Sequence, residues 1–493
     1  MGKQPEETPE KDSPPACFFA WAGVSFAKTE QEGGLMKQKI PSGVSFFFVA
    51  FLMLLLLPAV VSCASEQSPV ISEAEVPRER LEQYRMARYI TERMNEFKAA
   101  HKKNPGSAKT VKWVYLYGTD QKPAEGYVDR INEWVDTFDA YFDSEMRENF
   151  FPPCHPATER GSDGKIKFYE IAGSKPKRAY GNDWVRCGLP MYQECRNYFL
   201  KENAFDMFDE VVCLVTNRLE NDRGEVAREG AEYADIHGKG GTAFLLDHPK
   251  LYLKNITSTE ILPFTDDYSR IRSAPTPLWN LVSYWVGNVP HEFLHALGIQ
   301  HNRSIGAEAK RGIALMGMGT SSFLADRRQS VSPSAERAVL TFADCARLVS
   351  HPVFSCVNDG YGEKCSVTIR DFQIKADSAS SSVTASGQVA SSINGEPYLV
   401  LFYTDPEANP NDNWDSYTAP LWTGVVNRDG SFSVKADLRE FQYNGRWRGR
   451  ILICMTNGNY VNVPHWMFRG LTPDREIRRE FTVEQTHDWG DPL

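Results

Sequence analysis

The segment His291-Glu292-Phe293-Leu294-His295-Ala296-Leu297-Gly298-Ile299-Gln300-His301 decides how this chain is read. His291 and His295 are four residues apart, so on a helix both imidazoles leave one face, one turn above the other. From that face both nitrogens reach a single Zn2+ at about 2.0–2.1 Å. Glu292 adjoins the first histidine, within reach of a water on the same ion. Gly298 is able to take the left-handed conformation that stops a helix and turns the chain, which returns His301 as a third ligand. Three protein ligands leave a fourth position open, as catalytic zinc requires; structural sites close with four, often cysteines. An HExxH alone arises by accident in roughly one protein in a hundred of this length, and the added Gly and His lower that to about one in 10^5 on average residue frequencies. A helix with unrelated histidines is therefore a poor account of the segment.

Upstream, Pro290 directly precedes His291. Proline fits only a first helical turn or a kink, so Gly287-Asn288 is expected to break an upstream helix, with a new one starting near Asn288. Val111 to Tyr117 is dense in β-branched and aromatic residues and reads as a strand. A helix follows, with Tyr127, Ile131, Trp134, Val135, Phe138, Tyr141 and Phe142 recurring at three- and four-residue steps. Strand-like runs at Lys165 to Ile171 and Asp209 to Val215 flank an insertion carrying Cys187 and Cys195. Gly240 to Leu246 is a further short strand. Strand, long helix, strands and helix in that order predict a mixed α/β layer domain.

With its glycine and third histidine, this motif resembles the zinc signature of the metzincin clan of metallopeptidases. The clan adds a methionine in a tight turn beneath the metal, and Ala314-Leu315-Met316-Gly317-Met318-Gly319 follows His301 here. Met316 looks like that residue, ahead of Met318. The resemblance covers roughly residues 110–355 and implies a terminal helix, expected from Ser332 as cap and Pro333 at the first position through Val339, Leu340 and Leu348. It implies one catalytic Zn2+ held by His291, His295 and His301, with Glu292 as general base in peptide-bond hydrolysis. It also offers Gly241, Thr242, Ala243 and Phe244 as an exposed edge strand that pairs with extended substrate; an ordinary sheet strand is the equal alternative. Some metzincin families place a tyrosine two residues after the turn methionine. That position is Met318 here, so no tyrosine is assigned to catalysis, and the family within the clan stays open.

The rest of the chain sets the frame. Its 493 residues, 42% hydrophobic and 24% charged, have room for two or three domains and are too apolar for a disordered protein. A net charge of −9, with 55 Lys+Arg against 64 Asp+Glu, argues against nucleic acid as a partner. The basic stretch around Lys98 to Lys112 reads as a solvated helix end and linker. Residues 64–109 form a linker and a helical pattern, Arg78 to His101, ended by Asn104-Pro105-Gly106; a stalk, a prosegment and the first helix of the next domain all fit. Beyond Cys365 nearly every segment alternates, as in Val383 to Val389, Tyr398 to Tyr403, Ser431 to Ala436 and Arg450 to Met455. Turns at Asn394-Gly395, Asp429-Gly430 and Asn444-Gly445 separate about seven short strands, the pattern of a β-sandwich over residues 366–490. The expected fold is thus multidomain α+β: a metzincin-like α/β catalytic domain at 110–357 and a C-terminal antiparallel β-sandwich. Exposed Trp414, Trp422 or Trp447 would favour a sandwich that binds substrate or glycan; buried, they favour a structural one.

Residues 1–63 read as an export signal region. The 16-residue apolar run Phe46 to Val61 follows the basic Met36-Lys37-Gln38-Lys39 and runs into Val60-Val61-Ser62-Cys63. The last four residues look like a bacterial lipobox, with Cys63 lipidated and Met36 the start. A signal cleaved without lipid is an alternative, and an uncleaved anchor another, although a spanning helix needs about 20 residues. All three place the folded part outside the cytoplasm, as a membrane-tethered lipoprotein at the cell surface or periplasm, or secreted. Setting Cys17 and Cys63 aside, the eight cysteines Cys154, Cys187, Cys195, Cys213, Cys345, Cys356, Cys365 and Cys454 permit four disulfides in an exported chain. Cys187/Cys195 and Cys356/Cys365 are the local pairs, and buried thiols are the alternative. The expectation is an exported zinc endopeptidase acting on protein or peptide, with the membrane as a second partner. A surface binding or adhesion protein with an inactive or structural metal site is one alternative, and a zinc hydrolase of a non-peptide amide is another.

Overall fold

The computed structural model describes residues 71–484 except 102–108, 181–183, 220, 222, 224, 229–231, 267–274, 407–416, 441–445, 470–471 and 474–480. The export-signal expectations on Met36 and Cys63, and Trp414, lie outside the described residues. Among those described, no helix is long and apolar enough to cross a membrane.

Helix α1 (Leu81–His101) buries Tyr84, Ala87, Ile90 and Met94, spaced three or four apart on one face. Tyr89 donates to the carbonyl of Val426 at 2.8 Å and Arg93 reaches Glu396 at 2.7 Å, so α1 is packed into the molecule rather than held off as a stalk. Then come β1 (Val111–Tyr117), α2 (Tyr127–Glu148), β2 (Phe168–Ala172), α3 (Trp184–Lys201), β3 (Val211–Thr216), β4 (Tyr233–His237) and β5 (Gly240–Leu246). The sheet order is β2-β1-β3-β5-β4, parallel throughout except for β4, which runs antiparallel to β5.

Alternation in β1 and β3 assigns the two faces. Trp113, Tyr115, Val211, Cys213 and Val215 share a core with Ile131, Trp134 and Phe138 of α2. Val114, Leu116, Val212 and Leu214 pack instead with Met191, Cys195 and Phe199 of α3. Covered on both faces, the central strands read as nearly continuous apolar runs, interrupted in β1 by Lys112.

Several expectations need correction. The segment carrying Cys187 and Cys195 is the helix α3, with Pro190 inside it. Helix α4 (Leu278–Ala296) runs unbroken through Gly287-Asn288 and Pro290, so no new helix starts near Asn288. A Cβ on Gly287 would lie 1.9 Å from the Thr320 carbonyl oxygen, which makes that glycine a point of close crossing, not a break. Proline inside a helix costs about 3 kcal/mol; burial of nearly every residue from Val286 to Leu294 outweighs it. After α4, β6 (Ile313–Ala314) and β7 (Ala338–Val339) pair in parallel, and no helix begins at Ser332-Pro333. The helix there is α5 (Phe342–Leu348), capped by Thr341, whose hydroxyl accepts from the Asp344 amide. Glu145 of α2 holds the preceding segment extended, pairing with Arg337 and accepting from the Leu340 amide.

The cysteines do not pair as expected. Cys195, Cys213, Cys345 and Cys454 are buried free thiols, and no disulfide is found between Cys356 and Cys365. Cys195 and Cys213 face opposite sides of the sheet, and the sulfurs serve as small apolar fillers.

The C-terminal part contains β8 (Ser366–Asp377), β9 (Ser382–Ile393), β10 (Pro397–Pro406), β11 (Leu421–Val425), β12 (Ser431–Asp437), β13 (Arg446–Met455), β14 (Tyr460–Arg469), β15 (Thr472–Pro473) and β16 (Phe481–Glu484). They form sheets ordered β12-β9-β8-β16 and β11-β10-β13-β14-β15, all antiparallel. Between them lies a core of Val367, Ile369, Val400, Phe402, Ile451, Ile453 and both Trp422 and Trp447. The buried tryptophans favour the structural reading of this layer. The other face of the five-stranded sheet is buried as well: Leu401, Tyr403, Leu452 and Cys454 belong to the core that holds α4 and α5. The sandwich thus shares one core with α4 and α5.

Candidate metal centre

The last turn of α4 carries the site. Leu297 caps it, and Gly298 follows at φ 81°. The Gly298 amide donates to the His295 carbonyl at 2.8 Å and the Ile299 amide to Leu294 at 3.0 Å, the paired bonds of a Schellman motif. The chain reverses there, and His301 comes back against the helix face that bears His291 and His295.

His291 Nδ1 lies 2.8 Å from the Leu315 carbonyl and His295 Nδ1 lies 2.8 Å from that of Ile299. A carbonyl oxygen only accepts, so both Nδ1 atoms carry the hydrogen, and in the neutral rings Nε2 presents a lone pair. Those two Nε2 atoms face His301 Nε2 at 3.1 and 2.9 Å. At most one hydrogen on His301 Nε2 lies among three basic nitrogens, a cluster that a cation resolves and a hydrogen-bond network does not. The three ligand atoms lie within 4.8 Å of one another. All are imidazole nitrogens, two already oriented by backbone partners as metal-binding histidines are. The residues fit a borderline-soft divalent ion such as Zn2+.

Glu292 is buried beside His291. Met316 is fully buried in the turn that follows Leu315, where the Gly317 and Gly319 amides both donate to the Ala314 carbonyl at 2.9 and 3.0 Å. Met318 is 67% exposed. Of the two methionines, Met316 is the buried one, and it follows Leu315, whose carbonyl faces His291 Nδ1.

Gly241, Thr242, Ala243 and Phe244 do not form an edge: β5 lies between β3 and β4. A Cβ on Gly241 would sit 2.0 Å from the Ala296 carbonyl oxygen, so the glycine admits the end of α4 against the sheet. The sheet's edges are β2 and β4, and β4, Tyr233 to His237, is the one beside β5, antiparallel to it. The half-exposed, half-polar composition of β4 is what an edge requires, whereas the run of buried residues in β5, apolar but for Thr242, is the mark of a strand covered on both faces.

Three further features lie beyond the motif. Tyr417, from the segment leading into β11, stacks on His301 with ring centroids 3.7 Å apart. Nothing local to either residue signals that contact. Asn302 donates to Asp344 at 2.8 Å; burial pushes the Asp344 carboxyl up to about 6, against the pull of its bonds from Thr341 and Asn302. At the head of β4, Glu232 accepts from Asn288 of α4 and, at 3.3 Å, from the Leu246 amide.

Burial raises the Glu232 carboxyl from 4.5 to about 8, opposed by the Asn288 bond. Between those values the folded protein holds a proton that the unfolded chain releases, so stability falls as pH rises through the window. Glu232→Gln removes that loss. Its thermal midpoint is expected to exceed the wild type's at pH 8–9, by a stability gain on the order of a few kcal/mol that shrinks toward pH 4.5. Calorimetry across pH checks this, and a pH-independent difference would contradict it.

No protein-family model matches the chain, and no curated protein matches it. Solved structures do. Wild-type OgpA from Akkermansia muciniphila matches with a TM-score of 0.60 and 21% identity over 75% of this chain and 96% of that one. Catalytic inactive OgpA in complex with an O-glycopeptide (glycodrosocin) substrate matches with a TM-score of 0.60 and 20% identity over the same 75% and 96%. The chain shares the multidomain fold of these proteins, a sheet with parallel strands joined to antiparallel sheets.

Proposed function

We propose that this chain is an exported, zinc-dependent endopeptidase. The observation that carries the reading is the convergence of the His291, His295 and His301 Nε2 atoms, beside Glu292 on the same helix. A divalent ion in that cluster supplies the Lewis acidity that activates water and polarises the scissile carbonyl. The chain's own residues do the rest. His291, His295 and His301 offer three nitrogens and leave the remaining side to water and substrate. Glu292 accepts the proton of the attacking water and delivers it to the leaving amine. The edge strand β4 is where an extended peptide would add to the sheet.

The glycopeptide bound to OgpA supports a peptide substrate and makes O-glycosylated peptides the class to try first. The test is cleavage of matched peptide libraries, with and without O-glycans, by residues 66–493, read by mass spectrometry. Cuts that require an intact Glu292 support the reading. Absence of cleavage by folded, zinc-loaded protein in both libraries overturns it.

Export belongs to the same proposal and rests on Phe46 to Cys63. Cys63→Ser is expected to move the protein from the membrane fraction to the soluble one, measured by detergent phase partitioning. Continued membrane association would point to an uncleaved anchor.

A further inference from the structure

His291 and His295 share one helix, and that helix fixes their spacing. His301 has no such support, because it sits on a loop after the Schellman turn. Its position depends on what holds residues 297–303, and much of that comes from the sandwich.

Gln300, the residue before the ligand, is buried, and its Oε1 accepts from Arg450 Nη1 at 2.8 Å. Arg450 lies on β13. It is itself buried and fixed by Asp405 of β10, with nitrogens 3.1 and 3.2 Å from Oδ2, and its guanidinium lies over the Tyr403 ring at 5.1 Å. Two residues past the ligand, the Arg303 amide donates to the Ala419 carbonyl at 3.0 Å. Arg347 of α5 donates to the Gly298 carbonyl while its guanidinium packs on Tyr460 of β14 at 4.2 Å. Tyr417 covers the His301 ring. Three anchors from the second layer, and one from α5 that is backed by Tyr460 of that layer, thus converge on a loop of seven residues, and one of them rests on a buried ion pair. A buried pair is an expensive way to hold two strands together, but a guanidinium fork with an aromatic on one face is well suited to fixing one amide in one place.

We propose that the β-sandwich completes the metal centre, with Arg450 as a positioning residue that sets His301 through Gln300. The proposal rests on the metal site read above. It changes the account of the sandwich: in place of a separate binding module, it is the frame for the third ligand.

The test measures zinc affinity of the full folded chain by competition with a chromogenic chelator, together with the thermal midpoint of the metal-free protein. Gln300→Met keeps size and burial but removes the acceptor. Arg450→Lys keeps the charge opposite Asp405 but loses the fork. Each is expected to weaken zinc binding by about 10–100-fold, the usual effect of losing a group that orients a ligand. The double variant is expected to be no weaker than the weaker single one, because both act along one path. Loss of a partner of the buried Arg450 lowers the metal-free midpoint of Gln300→Met, so affinities are compared at a temperature where both metal-free proteins are fully folded, which separates positioning from general destabilisation. If Arg450→Lys fails to fold, Gln300→Met decides alone. Wild-type zinc binding with unchanged affinity in folded Gln300→Met overturns the proposal and leaves the metal site standing. A wild-type protein that binds no zinc overturns both.

Discussion

Glu292→Gln is expected to lower kcat/KM for peptide cleavage by about 10^2–10^4-fold, equivalent to roughly 3–5 kcal/mol of transition-state stabilisation. The substitution keeps the shape of the side chain and removes its ability to take a proton. The metal should be unaffected, because the cluster that would hold it is made of three imidazole nitrogens and no carboxylate. Glu292 also sits on a helix whose neighbouring residues are nearly all buried, so an isosteric change is needed to keep packing constant. Glutamine meets that requirement better than alanine. The measurement is cleavage rate alongside zinc content and thermal midpoint. A variant with full zinc, unchanged midpoint and unchanged rate would remove Glu292 as the base. Loss of rate with loss of zinc would assign it to the metal cluster instead.

The site was legible in the sequence where its geometry is local. His291 and His295 meet because a helix repeats every 3.6 residues, and His301 returns because Gly298 can hold φ 81°. Both facts are contained in eleven consecutive residues. The sandwich was legible for a similar reason, since alternation and turn residues are local signals.

What escaped was set by distant partners. Pro290 reads as a helix boundary on its own terms, but the helix is enclosed on nearly every side and runs through it. The segment after Ser332 has helical spacing, yet Glu145, far away on α2, pins Arg337 and the Leu340 amide in extended form. The cysteine count was even, but evenness says nothing about which face of a sheet each sulfur occupies. The edge strand could have been found. Gly240 to Leu246 is apolar at every position after its glycines except Thr242, the mark of a strand with neighbours on both sides. Tyr233 to His237 mixes polar and apolar residues as an edge does. Tyr417 and Arg450 are different: no pattern in the chain links them to His301, and only the packing of one layer on the other brings them there.

His301→Ala is the second change with a large expected effect, and it tests the cluster as a cluster. Wild-type protein stripped with a chelator should lose activity and regain it on adding Zn2+. His301→Ala, treated the same way, should regain none at the zinc concentration that restores the wild type. Its affinity loss should exceed the 10–100-fold expected for a residue that merely orients a ligand, because one of three donor nitrogens has gone. Stability gives a reading independent of catalysis. An ion bound only by the folded state at 1,000 times its dissociation constant adds about 4 kcal/mol, so zinc should raise the wild-type thermal midpoint by several degrees. In His301→Ala that increment should nearly vanish, since His291 and His295 alone offer two donors on one side of the ion. The two metal-free midpoints should differ less, because the Schellman turn and the anchors on Gly298, Gln300 and Arg303 all survive the substitution. A variant that keeps full zinc occupancy and the full stability increment would exclude His301 as a ligand. It would leave a two-histidine site whose remaining donors must be sought elsewhere, and Glu292, next to His291 on the same turn, would be the first residue to examine.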